Sequence, residues 1–191
     1  MLILLLSKLI VSLIHKYMKL TELKEKLKKV KLLAMDVDGT LTDGSLYYSE
    51  NGEIMKRFCA KDGMGITLLN KAGIPSAIVT SEISQIVTNR AKKLKIEHVI
   101  LGSRNKFQAI GDLAEQLGIR VEEIAYIGDD VNDYFALKGV GFSACPQNAN
   151  EAIKEVVDYV CKNNAGDGAV REICDLILLS QNKSLILEEN W

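Results

Sequence analysis

Apolar and polar positions along the chain change their period repeatedly. The runs Lys31–Met35, Ser76–Val79, His98–Leu101 and Ile124–Ile127 are short and continuously apolar. They are too short for helices and lack alternation, so each predicts a strand buried on both faces. Helix-period segments separate them. Gly63–Ala72 ends at Gly73, Ile83–Lys95 has a basic C-terminal half, and Lys106–Leu117 is closed by Gly118. The alternation continues through Val131–Leu137, Gly141–Ala144, Ala149–Val156 and Asp158–Cys161, and Val170–Leu179 predicts a last amphipathic helix. Near the start, Thr21 is expected to cap a short charged helix, ELKEKLKKV. Leu46–Tyr48 and Ile54–Phe58 flank Ser-Glu-Asn-Gly at 49–52, and Asn-Gly between strand-like runs predicts a hairpin. Strands alternating with helices imply an α/β fold, a Rossmann-like three-layer sandwich with a mainly parallel sheet and a β-hairpin flap. No repeat or linker divides residues 18–191, which are expected to form a single domain.

Composition narrows the function. The 191 residues are 48% apolar and 26% charged, enough for a core without disulfide staples. Lys+Arg is 24 against 25 Asp+Glu, a net charge of -1, which argues against a nucleic-acid binder. Two histidines, His15 and His98, leave little for His-based triads or His-ligated metals. The cysteines at 59, 145, 161 and 174 form no C-x-x-C pair and read as buried thiols in a reducing cytoplasm. No membrane partner is expected. Met1–Ile14 is apolar but broken at Ser7 and Lys8, and is shorter than the ~20 residues of a spanning helix. Residues 1–17 therefore read as an upstream extension before a cytosolic start at Met18. If ordered, they would form an amphipathic helix packed on an apolar surface.

In a parallel sheet, chemistry gathers outside the carboxyl ends of the strands. The first predicted strand ends in Asp36-Val37-Asp38-Gly39-Thr40, the second in Thr80-Ser81, and the fourth in Gly128-Asp129-Asp130, with Asp133 one turn on. Lys106 opens the helix after the third. Clustered carboxylates need a hard cation, and oxygen-only ligands suit Mg²⁺. Asp36 and Asp129 are the expected ligands, with the Asp38 main-chain carbonyl as a third. A carboxylate facing Mg²⁺ and a phosphate can attack phosphorus, which is the expected part of Asp36. Asp38 is placed to protonate the leaving alkoxide and then activate water. Thr80 and Lys106 would hold the phosphoryl oxygens. Each signal alone is weak, since D-x-D-G is common in turns. Their joint occurrence at successive strand ends is not.

D-V-D-G-T-L-T-D-G, Thr80-Ser81, Lys106 and G-D-D-V-N-D resemble the four motifs of haloacid dehalogenase superfamily phosphatases. The hairpin at 46–58, Lys61-Asp62-Gly63-Met64-Gly65 and GDGAVRE at 166–172 resemble its small capless branch, and the stretch after Asp38 leaves no room for a cap domain. That branch acts on phosphates of 2-keto-3-deoxy sugar acids, among them KDO-8-phosphate and nine-carbon 9-phosphates. The resemblance implies a cytoplasmic Mg²⁺-dependent phosphomonoesterase working through an aspartyl-phosphate. KDO-8-phosphate is the leading substrate, and KDN-9-phosphate or N-acylneuraminate-9-phosphate the alternative. It also implies a homotetramer built on hairpin 46–58, in which the tail 166–191 helps close a neighbour's site. Ser81, Glu82, Lys61, Asp62, Gly63, Arg90, Lys93 and Asp130 are the implied substrate contacts, with Asp133 supporting the ligands from behind.

The chain departs from the branch pattern in places. Thr80-Ser81-Glu82 stands where KDO-8-phosphate phosphatases typically carry Thr-Gly-Arg, Thr67 where they tend to carry arginine, and Ala165-Gly166-Asp167-Gly168 where they carry Gly-Gly-Arg-Gly. An arginine fork suits a sugar carboxylate, whereas a glutamate repels one. Glu82, Arg90 and Lys93 together resemble the nine-carbon relatives, though an acid at Glu82 also suits a helix N-terminus. A phosphoacceptor receiver domain or a non-catalytic scaffold remains as an alternative of a different class. The missing GxxxxGK[ST] excludes a P-loop kinase, and the missing G-x-S-x-G disfavours a serine hydrolase.

Overall fold

The computed structural model describes residues 18 and 20–187. The extension 1–17 lies outside the described residues. Among the described residues eight strands and six α-helices follow one another: β1 Leu32–Met35, β2 Tyr47–Ser49, β3 Gly52–Met55, α2 Ala60–Lys71, β4 Ser76–Val79, α3 Gln85–Leu94, β5 His98–Ile100, α4 Lys106–Leu117, β6 Ile124–Ile127, α5 Tyr134–Gly139, β7 Phe142–Cys145, α6 Glu151–Lys154, β8 Tyr159–Val160 and α7 Ala169–Ser180. A helix over 20–28, here α1, precedes them. Thr21 therefore lies inside that helix rather than at its cap.

Six strands form one parallel sheet in the order β5-β4-β1-β6-β7-β8. The chain runs outward from β1 through β4 and β5, then restarts on the other side of β1 with β6. β1 is thus the switch point, where such sheets leave a crevice beyond their strand ends. Its side chains divide by parity. Leu33, Met35 and Val37 join the core that includes α2 and α7, and Leu32 and Ala34 join the core under α4 and α5. Both faces are covered, which is why the strands read as continuous apolar runs. Asp36 continues the even-numbered parity and so points to the α4 side, where the strand ends at a cleft.

Between β1 and α2 there is only the two-stranded ribbon β2–β3, with no cap domain. The ribbon differs in detail from its expectation. The turn is Glu50-Asn51, and Gly52 already pairs with Ser49 at φ +108°, a conformation that suits glycine. β3 stops at Met55 rather than Phe58, because Lys56 turns inward to two carboxylates and Phe58 bridges back to Thr42. Cys145, Cys161 and Cys174 are buried free thiols, whereas Cys59 is only half-buried at the N-cap of α2. Among the described residues no helix is long and apolar enough to cross a membrane.

Candidate active site

A cleft of about 370 Å³ opens at the carboxyl ends of β1, β4 and β6, with Asp36, Asp38, Thr80 and Asp129 along its floor and walls. The turn after β1 makes this possible. Gly39 has φ +82°, and a Cβ there would stand 2.1 Å from Asp129 Oδ2, so only glycine lets the two strand ends approach. Gly128 is equally constrained, since its Cβ would meet Asp133 Cγ at 2.4 Å. Thr40 Oγ1 donates to Asp129 Oδ1 at 3.1 Å and ties the β1 and β6 loops together.

Behind the cleft floor lies a buried charge network. Lys106 Nζ stands 2.9 Å from Asp36 Oδ1 and donates to Asp133 Oδ1 at 2.6 Å. The Tyr126 hydroxyl donates to the same Asp133 oxygen at 2.6 Å. Asp133 Oδ2 accepts the main-chain N–H groups of Asp129 (3.0 Å) and Asp130 (3.3 Å). Asp133 therefore shapes the loop that carries Asp129 and fixes Lys106, which in turn holds Asp36. Parity explains the convergence: Tyr126 and Asp36 face the α4 side of their strands, and Lys106 is the first residue of α4.

The carboxyls strain against one another. Burial first, and then Asp133, push Asp36 up to about 7 despite the opposing Lys106 ammonium. Burial and Asp36 likewise push Asp129 up to about 7. One oxygen each of Asp36, Asp129 and Asp133 lies within 4.8 Å of the others. The set is oxygen-only and short of positive charge, which suits a small hard cation. Asp133 is fully engaged by Lys106, Tyr126 and two N–H groups, so Asp36 and Asp129 are the carboxylates free to face such an ion.

Thr80 is buried, and its Oγ1 accepts the Glu82 N–H at 3.3 Å, which leaves its own hydrogen to donate elsewhere. Ser81, Glu82 and Asp130 line the outer cleft, although Ser81 Oγ donates to Ser103 O at 3.1 Å. Lys106 does not line the cleft; only 1% of its side chain is exposed, beneath Asp36.

Five expected substrate contacts are not brought there by this chain. Lys61 lines a separate hollow with Asp167 and Arg171. Asp62 is buried and accepts the Arg171 N–H at 2.7 Å. Gly63 makes room for the Arg90 guanidinium, whose NH2 would be 2.6 Å from a Cβ. Arg90 lies 5.4 Å over the Phe58 ring and donates to Cys59 O. Lys93 is exposed beside another hollow near Lys71 and Lys95. Within the chain, the first part of the expected tail also lies away from the cleft. Gly166 packs on Thr42 and Asp43 of its own chain, Arg57 pairs with Asp167 at 2.8 Å, and α7 packs on α2. Residues 166–180 are thus built into their own fold because Val170, Ile173, Cys174 and Ile177 belong to its core.

Sequence reasoning missed Lys56, Glu53 and Ser84, all of which line the cleft. Lys56 Nζ sits 2.6 Å from both Asp38 Oδ1 and Glu53 Oε1 with 1% of its side chain exposed. A lysine beside arginine on a surface ribbon carries no sequence signal of burial. Only the docking of the ribbon over the strand ends reveals it.

Comparison with known proteins agrees with this geometry. A family model of haloacid dehalogenase-like hydrolases matches residues 70–173. The 3-deoxy-D-manno-octulosonate 8-phosphate phosphatase of Escherichia coli K12 is 41% identical over 158 residues, covering 83% of this chain and 84% of that protein. The Haemophilus influenzae enzyme of the same name is 40% identical over 166 residues, 87% of this chain and 92% of that one. The crystal structure of the Moraxella catarrhalis 3-deoxy-D-manno-octulosonate 8-phosphate phosphatase, in complex with magnesium, phosphate and KDO, has a TM-score of 0.82 and 43% identity over 84% of this chain and 92% of that one. The Yersinia pestis phosphatase has a TM-score of 0.83 at 37% identity, covering 85% and 88%. The chain belongs to the haloacid dehalogenase-like hydrolases, in the branch of the 3-deoxy-D-manno-octulosonate 8-phosphate phosphatases.

Proposed function

We propose that this protein is a Mg²⁺-dependent phosphatase that hydrolyses KDO-8-phosphate to KDO and phosphate. The observation that carries the reading is the convergence of Asp36, Asp38, Thr80 and Asp129 on one cleft at the switch point of the sheet. The similarity to named KDO-8-phosphate phosphatases over most of the chain supports the substrate. Asp36 and Asp129, with the Asp38 main-chain carbonyl, would hold Mg²⁺. When bound, the ion offsets the carboxylate charge and that of the phosphate.

The side chains then divide the work. Asp36, oriented by Lys106, attacks phosphorus and becomes the aspartyl-phosphate. Asp38 gives a proton to the departing sugar oxygen, then takes one from the water that cleaves the acyl phosphate. Thr80 donates to a phosphoryl oxygen, and Lys106 contributes charge from behind Asp36. A Tyr126–Asp133–Lys106 brace this deeply buried resists the rotation of Asp36 that would misalign attack.

Glu82 at the cleft wall favours a second reading, a nine-carbon sugar acid 9-phosphate. Arg90 and Lys93, its other sequence supports, lie away from the cleft. The exposed ribbon side chains Leu46, Tyr48, Ile54 and Met55 support a homo-oligomer assembled through the hairpin, and the four free cysteines support a reducing, cytoplasmic setting. Steady-state phosphate release from both phosphosugars, with Mg²⁺ present, tests the assignment. KDO-8-phosphate is expected to have the higher kcat/KM by about tenfold or more. A preference of that size for the nine-carbon substrate reverses the order, and no release from either overturns the reading.

A further inference from the structure

Lys56 follows an exposed ribbon strand and lies between exposed Met55 and Arg57, yet its own side chain is as buried as that of Lys106. Lysine usually keeps its ammonium in water, so a buried one needs its charge matched. Here two carboxylates match it. Lys56 Nζ is 2.6 Å from Asp38 Oδ1 and 2.6 Å from Glu53 Oε1. Glu53 is itself held, since its Oε2 accepts the Ser84 hydroxyl at 2.5 Å. Ser84 is the N-cap residue of α3 but makes no capping hydrogen bond with its side chain. Its hydroxyl is directed to the hairpin instead, although serine at that position ordinarily caps. A continuous chain of contacts therefore runs from the loop after β4, through the hairpin, to the loop after β1.

The two oxygens of Asp38 end up in different states. Oδ1 takes the Lys56 ammonium and a weaker contact from Thr42 Oγ1 at 3.4 Å. Oδ2 is buried and has no partner among the described residues. A buried carboxylate oxygen without a donor is costly, and Asp38 lines the cleft where the substrate's leaving oxygen would arrive. We propose that Lys56, anchored by Glu53 and Ser84, is the positioning residue for Asp38: it holds the carboxyl by Oδ1 and so fixes its orientation at the cleft. This rests on the phosphatase reading above. As the Asp36–phosphorus bond forms and the phosphorus–sugar oxygen bond breaks, the Asp38 carboxyl gives its proton to the sugar oxygen. When water attacks phosphorus and releases the Asp36 carboxylate, the Asp38 carboxylate takes a proton from that water. Without Lys56 the Asp38 carboxyl can rotate, and either oxygen can turn away from the leaving group. Misplacement of this kind costs about 10²-fold. The Lys56 ammonium is taken up by two carboxylates and 1% of its side chain is exposed, so its loss is expected to affect the step that needs acid help and to spare binding.

The test compares leaving groups in the phosphorylation step, with KDO-8-phosphate as the poor leaving group and p-nitrophenyl phosphate as the good one. Rapid-quench rates are measured for wild type, Asp38→Ala, Lys56→Met and Lys56→Arg, with circular dichroism to check the fold. Lys56→Met is expected to slow phosphorylation by the sugar phosphate about 10²-fold while p-nitrophenyl phosphate loses a few-fold at most, with KM little changed. Lys56→Arg, which keeps the charge, is expected to recover most of the loss. If Lys56→Met does not fold, Glu53→Gln, which frees the ammonium from its anchor, is expected to show the same leaving-group bias more weakly. Equal losses on both substrates, or a folded Lys56→Met of normal rate, overturn the proposal. If Asp38→Ala discriminates the leaving groups and Lys56→Met does not, only the role of Lys56 fails. If wild type hydrolyses neither substrate, the function itself fails.

Discussion

The inner and outer halves of the cleft are built differently. On the inner side Asp36, Asp129, Asp133, Lys106 and Tyr126 are set by β1, β6 and the first turn of α4, and the polar atoms of Asp133, Lys106 and Tyr126 are all paired within the chain. On the outer side Ser81, Glu82, Asp130 and the ribbon residues Leu46, Tyr48 and Glu53 line an open wall, and most of the expected sugar contacts lie elsewhere. A phosphoryl group is the same in every substrate, so the residues that handle it can be locked into the core. The sugar differs between substrates, and the surface meeting it lies on loops and on a ribbon with an exposed apolar face. The groups proposed for the chemistry are thus fixed by the core of the chain, whereas the surface left for the sugar lies on parts that tolerate change.

The sharpest way to break this contrast is to remove Asp36, the proposed nucleophile. Asp36→Asn is expected to lower turnover by about 10⁴-fold or more with an unchanged circular dichroism spectrum. Retained phosphate release would remove Asp36 from its role. Next in size, Asp133→Ala strands the Tyr126 hydroxyl and two loop N–H groups and takes one carboxylate from Lys106. It is expected to cost about 3 kcal/mol, or about 6–12 °C in Tm by calorimetry. A shift under 2 °C would show that the inner network does not hold the site.

Metal and pH probe the same half. Asp36 and Asp129 stay protonated in the folded, metal-free chain up to about pH 7, whereas in the unfolded chain they ionise near the ordinary 3.8. Over that interval the folded state binds more protons, so metal-free stability is expected to fall as pH rises from about 4 to 7. Mg²⁺ competes with those protons, so the Tm gain on adding it is expected to be larger at pH 7.5 than at 5.5. A gain independent of pH would contradict the assignment of the two carboxylates. The smallest effect belongs to the outer half. Replacing Tyr47 and Tyr48 by Ser is expected to shift the mass in light scattering toward monomer and to lower activity only a few-fold. A monomeric wild type would remove the hairpin from assembly.

Much of the inner half was legible beforehand. β4 and β6 lie at their expected bounds, and α4 begins at Lys106 and ends before Gly118, which adopts the left-handed cap that stops a helix. Strand-end acids are readable because a buried parallel strand leaves an unmistakable apolar run, and a carboxylate just past it has one place to go. Ser84 and Lys56 were not legible, since a serine before a helix reads as a cap and a lysine on a ribbon reads as solvated.

By itself the sequence determined the buried strands, the helix stops and the order of the candidate catalytic side chains, because these follow from local periodicity and from glycine and capping chemistry within a few residues. Only the tertiary structure decided that Arg90 lies on Phe58 rather than in the cleft, that residues 166–180 belong to their own core, and that Lys56 meets Asp38. Those outcomes depend on which surfaces pack together across tens of residues. Long, flexible cationic side chains reach whichever carboxylate, carbonyl or ring that packing brings near, so their partners are settled only when the fold closes.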